Sequence, residues 1–214
     1  MNRTMRILCL PATLSLALLS GVSAPAFAGS DGGGGAAGPW PPQDTDGKYV
    51  SVPDAYYADY EFEACDTTIK VSYGDERELK YKGEKKDDGT LVIKYRGDIT
   101  VDLTRDSDKA TIDELDISGP FTMKLAADGL SAYLSGRGPG LVYAMSPAEE
   151  KAFEDEGLPK AFYFKEGRLS GKVVYSSTDQ KEVVSGEITH NSIRNAKDIC
   201  KLLDRAKDDD HGHR

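Results

Sequence analysis

The stretch Thr90-Leu91-Val92-Ile93-Lys94-Tyr95-Arg96-Gly97-Asp98-Ile99-Thr100-Val101-Asp102-Leu103 decides the fold class. Leu91, Ile93, Tyr95, Ile99, Val101 and Leu103 fall on odd positions. Thr90, Lys94, Arg96, Asp98, Thr100 and Asp102 are even and polar, with Val92 the single apolar residue out of phase. Such alternation is the period-two signature of a strand with one buried face. The phase survives passage through Gly97, whereas a loop presenting Arg96-Gly97-Asp98 as an adhesion tripeptide would reset it. At ~3.3 Å per residue the run would reach about 50 Å, too long to stay straight in one small domain. A glycine in mid-strand is where a sheet bends or bulges. The stretch is therefore expected to be one strand bent at Gly97, with a tight turn at Gly97-Asp98 as the alternative.

The same period recurs on both sides. Ile69, Val71 and Tyr73 alternate with Thr68, Lys70 and Ser72; Leu79 and Tyr81 mark a short strand before the charged turn Lys85-Lys86-Asp87-Asp88-Gly89. Downstream, Leu115, Ile117, Phe121, Met123 and Leu125 keep phase through Gly119, and Ile112 lies out of phase, which predicts a bulge near Asp113-Glu114. Asp106-Ser107-Asp108 reads as a turn and Asp128-Gly129 as a hairpin. Strands follow at 130–134, 141–145, 161–165, 169–175 and 182–189. Ser146-Pro147-Ala148-Glu149 is a capping box opening a helix that stops at Gly157, and a last helix over 196–206 has Asn195 as its cap. About eight or nine antiparallel strands, a short inserted helix and a C-terminal helix make a single barrel or sandwich, mainly β.

The ends read differently. Arg3 and Arg6 precede an apolar run from Ile7 to Leu19 and the small-residue stretch Ala26-Phe27-Ala28, the pattern of a secretory signal over 1–28, with Ala24 as the alternative cleavage site. Cys9 lies at the start of that run, the wrong place for lipid attachment, and leaves with the leader. Residues 29–47 are a glycine- and proline-rich flexible leader containing Trp40, 48–206 the β-domain, and 207–214 a disordered acidic and histidine-bearing tail. Without Arg3 and Arg6 the 27 basic residues become 25 against 36 acidic ones, a net charge of −11 with neutral histidines. Net charge of that sign offers no electrostatic footprint for nucleic acid or anionic lipid, and no apolar run after the leader is long enough to span a membrane.

Cys65 and Cys200 remain after processing. In an oxidising compartment, without metal-type spacing, they read as one disulfide closing a loop of about 135 residues; free thiols or pairing elsewhere are the alternatives.

Chemistry is scarce. His190 is the one histidine outside the tail, and no serine sits in a G-x-S-x-G turn. With 36 acids, carboxylate pairs at a glycosidase-like separation are bound to occur and carry no information. Asp106-Ser107-Asp108 lacks the rest of a calcium loop, and the stretch from Asp208 to His213 reads as a charged end before it reads as a metal site. No catalytic, cofactor or metal residue is assigned. An aromatic segment, Tyr56, Tyr57, Tyr60 and Phe62 with Tyr49 before it, is interleaved with Asp54, Asp59, Glu61 and Glu63. It is either cover for the barrel mouth or a recognition surface. Tyr143, Phe162 and Phe164 are candidates for the interior.

Over about 64–204 the chain runs through Cys65, Ile117-Ser118-Gly119-Pro120, Asp128-Gly129, Gly136-Arg137 and Asp198-Ile199-Cys200-Lys201-Leu202-Leu203. That order of features resembles a group of small secreted actinobacterial proteins of unknown function. The Ser146–Pro159 insertion departs from that pattern. The resemblance implies a compact β-domain closed by Cys65–Cys200, and no chemistry. The expected role is a secreted, non-catalytic domain binding a small apolar or amphiphilic ligand in the barrel, or a cell-envelope partner. The rival is a secreted hydrolase using carboxylates, which needs two acids converging in a cleft.

Overall fold

The computed structural model describes residues 44–178 and 183–211, with backbone alone for 209–211. Expectations for the signal and most of the leader therefore lie outside the described residues, as do those for His213 and the turn at Asp179.

Among the described residues, fourteen strands and two α-helices are formed. Taken in chain order, the strands come in pairs. They are β1 (Val50–Ser51) and β2 (Tyr60–Ala64), β3 (Thr67–Arg77) and β4 (Lys80–Lys85), β5 (Leu91–Arg96) and β6 (Ile99–Arg105), and β7 (Thr111–Asp116) and β8 (Phe121–Leu125). Then come β9 (Ser131–Arg137) and β10 (Gly140–Tyr143), helix α1 (Pro147–Asp155), β11 (Ala161–Phe164) and β12 (Arg168–Tyr175), and β13 (Val183–Asn191) and β14 (Lys197–Asp198). Helix α2 (Ile199–His211) ends the described chain.

One member of each pair lies in a 7-stranded sheet of order β1-β4-β5-β8-β9-β12-β13. The other lies in a 4-stranded sheet, β2-β3-β6-β7, or a 3-stranded sheet, β10-β11-β14. Neighbours keep the same order on both sides. The molecule is thus one antiparallel up-and-down meander of seven lines, each broken once where it turns from the large sheet into a small one. This is why more strands appear than the eight or nine expected. The sheets do not close into a barrel. They face one another as a sandwich whose strands switch sheets at corners.

Backbone hydrogen bonds knit the corner from line to line. Val52 N–H donates to Leu79 O (3.2 Å), Glu78 to Asp98 (2.8 Å), Ile117 to Ile99 (3.0 Å), Gly119 to Pro139 (2.9 Å), Gly138 to Gly167 (3.3 Å) and Arg194 to Glu166 (3.1 Å). Gly97 sits in this belt at φ +127, and a Cβ there would collide with the carbonyl oxygen of Glu78. The Arg-Gly-Asp tripeptide is therefore a bend between β5 and β6, which pair with other strands and not with each other. Gly119 makes the equivalent close approach to Arg137 O between β7 and β8. The predicted bulge is also present: Val101 faces Leu115 but Leu103 faces Ile112, with Glu114 at φ 50.

The enclosed faces supply the core. Ile69, Ile93, Leu103, Leu141, Tyr143, Phe162, Phe164 and Leu169 are almost completely buried, joined by Phe153 of α1 and Ile199 and Leu203 of α2. Full burial of one such side chain contributes about 1.5–3 kcal/mol. The 4- and 3-stranded sheets meet through the Phe62 and Tyr143 rings, stacked at 4.1 Å.

Two devices hold the far end. Cys65 lies in the hairpin turn between β2 and β3, where it and Asp66 are both left-handed. The alternation read from Thr68 to Tyr73 gave no strand before Cys65, so β2 and this hairpin are additions to the expected set. Its disulfide to Cys200 (Cα–Cα 5.5 Å) joins the first hairpin to the last helix. Helix α2 packs on β7, β11 and β14. The buried Arg105 guanidinium grips Asp108 (2.8 and 2.9 Å) and Asp204 (2.7 Å), and Lys207 reaches Asp108 (3.0 Å). Two expectations are corrected here. Asn195 does not cap the helix: it is left-handed and precedes β14, and Asp198 takes the cap position by accepting from the Cys200 amide at 2.9 Å. The helix also continues to His211, past the expected boundary at 206.

Removing the disulfide by Cys65→Ser with Cys200→Ser should lower unfolding free energy by as much as about 4–5 kcal/mol, since the closed loop is long. Urea titration checks this, and a loss under about 1 kcal/mol would contradict it. Gly97→Ala should cost about 2–4 kcal/mol in the same assay, through left-handed strain plus the clash.

Candidate functional site

The outward face of the 7-stranded sheet carries a groove of about 670 Å³. Register builds it. Thr122 of β8 faces Ser135 of β9, and Ser135 faces Ser170 of β12, so three hydroxyls stand in one rank across the strands. In the next rank Val92 of β5, Lys124 of β8, Tyr133 of β9 and Lys172 of β12 lie side by side. Thr189 enters from the β13 register shift opposite Ser170/Gly171, and Lys86, Asp88 and Thr90 close the other end.

The lining is organised. Arg168 Nε donates to Ser135 Oγ (2.9 Å), and Ser170 Oγ bonds Ser135 Oγ (3.0 Å). Lys172 stands 5.5 Å over the ring of Tyr133, which is 47% exposed. Asp88 accepts from the Thr90 amide at 2.9 Å, which holds its carboxyl below the usual range. Among the described residues, neither Lys124 nor Arg168 forms an ion pair.

Charge is sorted between the sheets. Strands of the 7-stranded sheet carry nine basic residues, Lys80, Lys82, Lys85, Lys94, Arg96, Lys124, Arg137, Arg168 and Lys172, against the acids Glu84 and Glu187. The 4-stranded sheet reverses the ratio: eight acids, among them Glu61, Glu63, Asp102 and Asp116, against Lys70, Arg77 and Arg105. Net charge alone concealed a basic face. Val92, the residue that broke the alternation, was the visible trace of the groove, because an outward apolar side chain on a solvated strand calls for a reason.

Comparison with family models, with curated proteins and with solved structures finds no match.

The aromatic segment lies elsewhere. Tyr56 and Phe62 are buried, Tyr57 and Tyr60 half-buried, so the four present no open aromatic face. They pack inside the sandwich with Tyr73, Tyr95 and Tyr143. Burial pushes the Tyr56 and Tyr60 phenols well above their ordinary range. Tyr57 Oη reaches the corner, donating to Arg77 O (2.9 Å) and accepting from Leu79 N (3.2 Å). Tyr143, Phe162 and Phe164 fill the interior. His190 is exposed, its Nε2 3.2 Å from Ser192 Oγ. Asp106 and Asp108 are taken up by Lys70, Lys109, Arg105 and Lys207, as a turn. Among the described residues no group of His, Cys, Asp or Glu is placed to hold a metal, and no helix is long and apolar enough to cross a membrane.

One carboxylate was not singled out for burial. Glu149, the last member of the capping box, is fully buried beneath α1. Its Oε2 accepts from Ser146 Oγ (2.9 Å) and the Met145 amide (3.2 Å), while Oε1 has no partner among the described residues. Burial raises its pKa to about 7, and the hydrogen bonds offset part of that rise. The folded state thus holds this proton more tightly than the unfolded chain does. Stability should rise as pH falls from about 7 towards 4.5, by at most about 3 kcal/mol. Glu149→Gln should flatten that slope. Urea midpoints at both ends of the window test this, and an unchanged slope in the variant would refute it.

Proposed function

We propose that the chain is an exported, non-catalytic binding domain whose ligand is an anionic component of the cell envelope, held in the outward groove of the 7-stranded sheet. The observation that carries this reading is the sorting of charge. An acidic chain gathers nine basic residues and two acids on the strands of one sheet, and two of the nine, Lys124 and Arg168, line a groove rich in hydroxyls. Such a face attracts anions at a distance, while the acidic opposite face repels them and orients the encounter.

The interior is a less favoured site for the small apolar or amphiphilic ligand expected from the sequence, because buried rings of Tyr143, Phe153, Phe162 and Phe164 fill space between the sheets. Binding is favoured over hydrolysis by the lining itself: among the described residues Asp88 is its one carboxylate, whereas acid–base cleavage of a glycoside needs two. Export rests on the N-terminal signal pattern and fits a domain closed by a disulfide. Kinship with the secreted actinobacterial group belongs to the same proposal.

Mature protein, despite its net charge, should be retained on a sulfonate cation-exchange resin at neutral pH and low salt. Lys124→Glu with Arg168→Glu should pass through, with an unchanged circular dichroism spectrum. Passage of the unsubstituted protein would refute the reading.

A further inference from the structure

We infer that the groove binds a linear acidic polysaccharide, a chain of hydroxyl-bearing rings with carboxylates, laid across the strands at one ring per strand. This rests on the groove being the binding face. The argument begins with spacing. Neighbouring strands are about 4.8 Å apart, close to the repeat of an extended pyranose chain. Thr122, Ser135 and Ser170 occupy successive strands in one rank. Each hydroxyl both donates and accepts, which matches the hydroxyls of successive rings. Five adjacent strands, β5 to β13 in sheet order, contribute to the lining, a span of about 19 Å.

The remaining side chains fit the same ligand. Tyr133, about half exposed, stands beside the hydroxyl rank with Lys172 over its ring, and a sugar can pack on the part of the ring that Lys172 leaves open. Lys124 and Arg168 lie on different strands without a carboxylate partner among the described residues, so acid groups can meet them from solution. Asp88 at the groove end would repel a densely charged polymer but can accept from a sugar hydroxyl. A membrane surface fits less well: Val50, Tyr133 and Val184 are the exposed large apolar residues among those described, too few and too scattered to enter a bilayer. Single-stranded nucleic acid needs successive stacking rings, and among the described residues Tyr133 is the one exposed aromatic side chain.

Titration calorimetry of the mature protein with oligogalacturonates of increasing length tests this. Affinity should climb with ring number and level off near about five rings, the span of the lined strands. Tyr133→Ala should weaken binding about tenfold while Tyr133→Phe retains it, since stacking needs the ring and not the phenol. Lys124→Glu with Arg168→Glu should abolish it. Oligogalacturonate binding no tighter than neutral cello-oligosaccharide would overturn the inference. So would equal or tighter binding of polyphosphate, oligo(dT) or phosphatidylglycerol vesicles. If sulfonate retention persists in those cases, the anion-binding face stands and the glycan falls. If retention is also absent, both fall.

Discussion

The structure depends on a row of backbone hydrogen bonds along one corner. A meander with lines near 50 Å long cannot stay flat in a domain of this size, and every line must turn. At a turn a strand ordinarily forfeits its ladder partners, and buried amides left unpaired are costly. Here the lines turn together, and the belt from Val52–Leu79 to Glu166–Arg194 keeps each bonded to the next. Gly97 and Gly119 permit the close backbone approach on which the belt relies. Folding the sheet along this line decides the rest: inward residues meet and are buried, and outward residues of the large sheet are left on one continuous face.

The folded meander remains open at its far end, where the small sheets part company. Hydrogen bonds do not finish that end; the Cys65–Cys200 bond, α2 and the Arg105 ion network do. The disulfide reaches from the first hairpin to the last helix, so it constrains nearly the whole domain in the unfolded state. Arg105 is buried with two carboxylates in reach, a pairing that stabilises when complete and becomes costly when one partner is lost. Loss of the Asp108 charge weakens the end as pH falls below the ordinary aspartate range, because the Arg105 guanidinium holds that carboxyl well under it. Glu149 acts in the opposite sense at higher pH. Mildly acidic conditions therefore suit this domain.

The fold was largely legible because period two survives a bend. The phase through Gly97 and Gly119, the bulge at Glu114 and the box at Ser146 are local features, and local sequence encodes them. Which halves of a bent line share a sheet is not local, so the strands were undercounted and the β2–β3 hairpin passed unseen. Asn195 lost the cap to Asp198 because Lys197 pairs with Tyr163 in a short strand, a tertiary event. For Tyr56 and Phe62 the sequence left cover and recognition surface both open because acids alternate with aromatics there; in a strand such as β2 that alternation turns Glu61 and Glu63 outward and Phe62 inward. The groove was invisible for the same reason in reverse. Its cations are scattered from Lys86 to Arg168 and meet only in the folded sheet, so a whole-chain charge count averaged them away.

The central claim is that one hydrogen-bonded corner folds a single meander. Native-state amide hydrogen exchange tests it most directly. The amides of Glu78, Ile117, Gly119 and Arg194 should exchange only through global unfolding, as slowly as those of β6 and β12. Fast exchange at these four while the strands on either side stay protected would mean that the sheets are hinged, not folded as one, and would contradict the account.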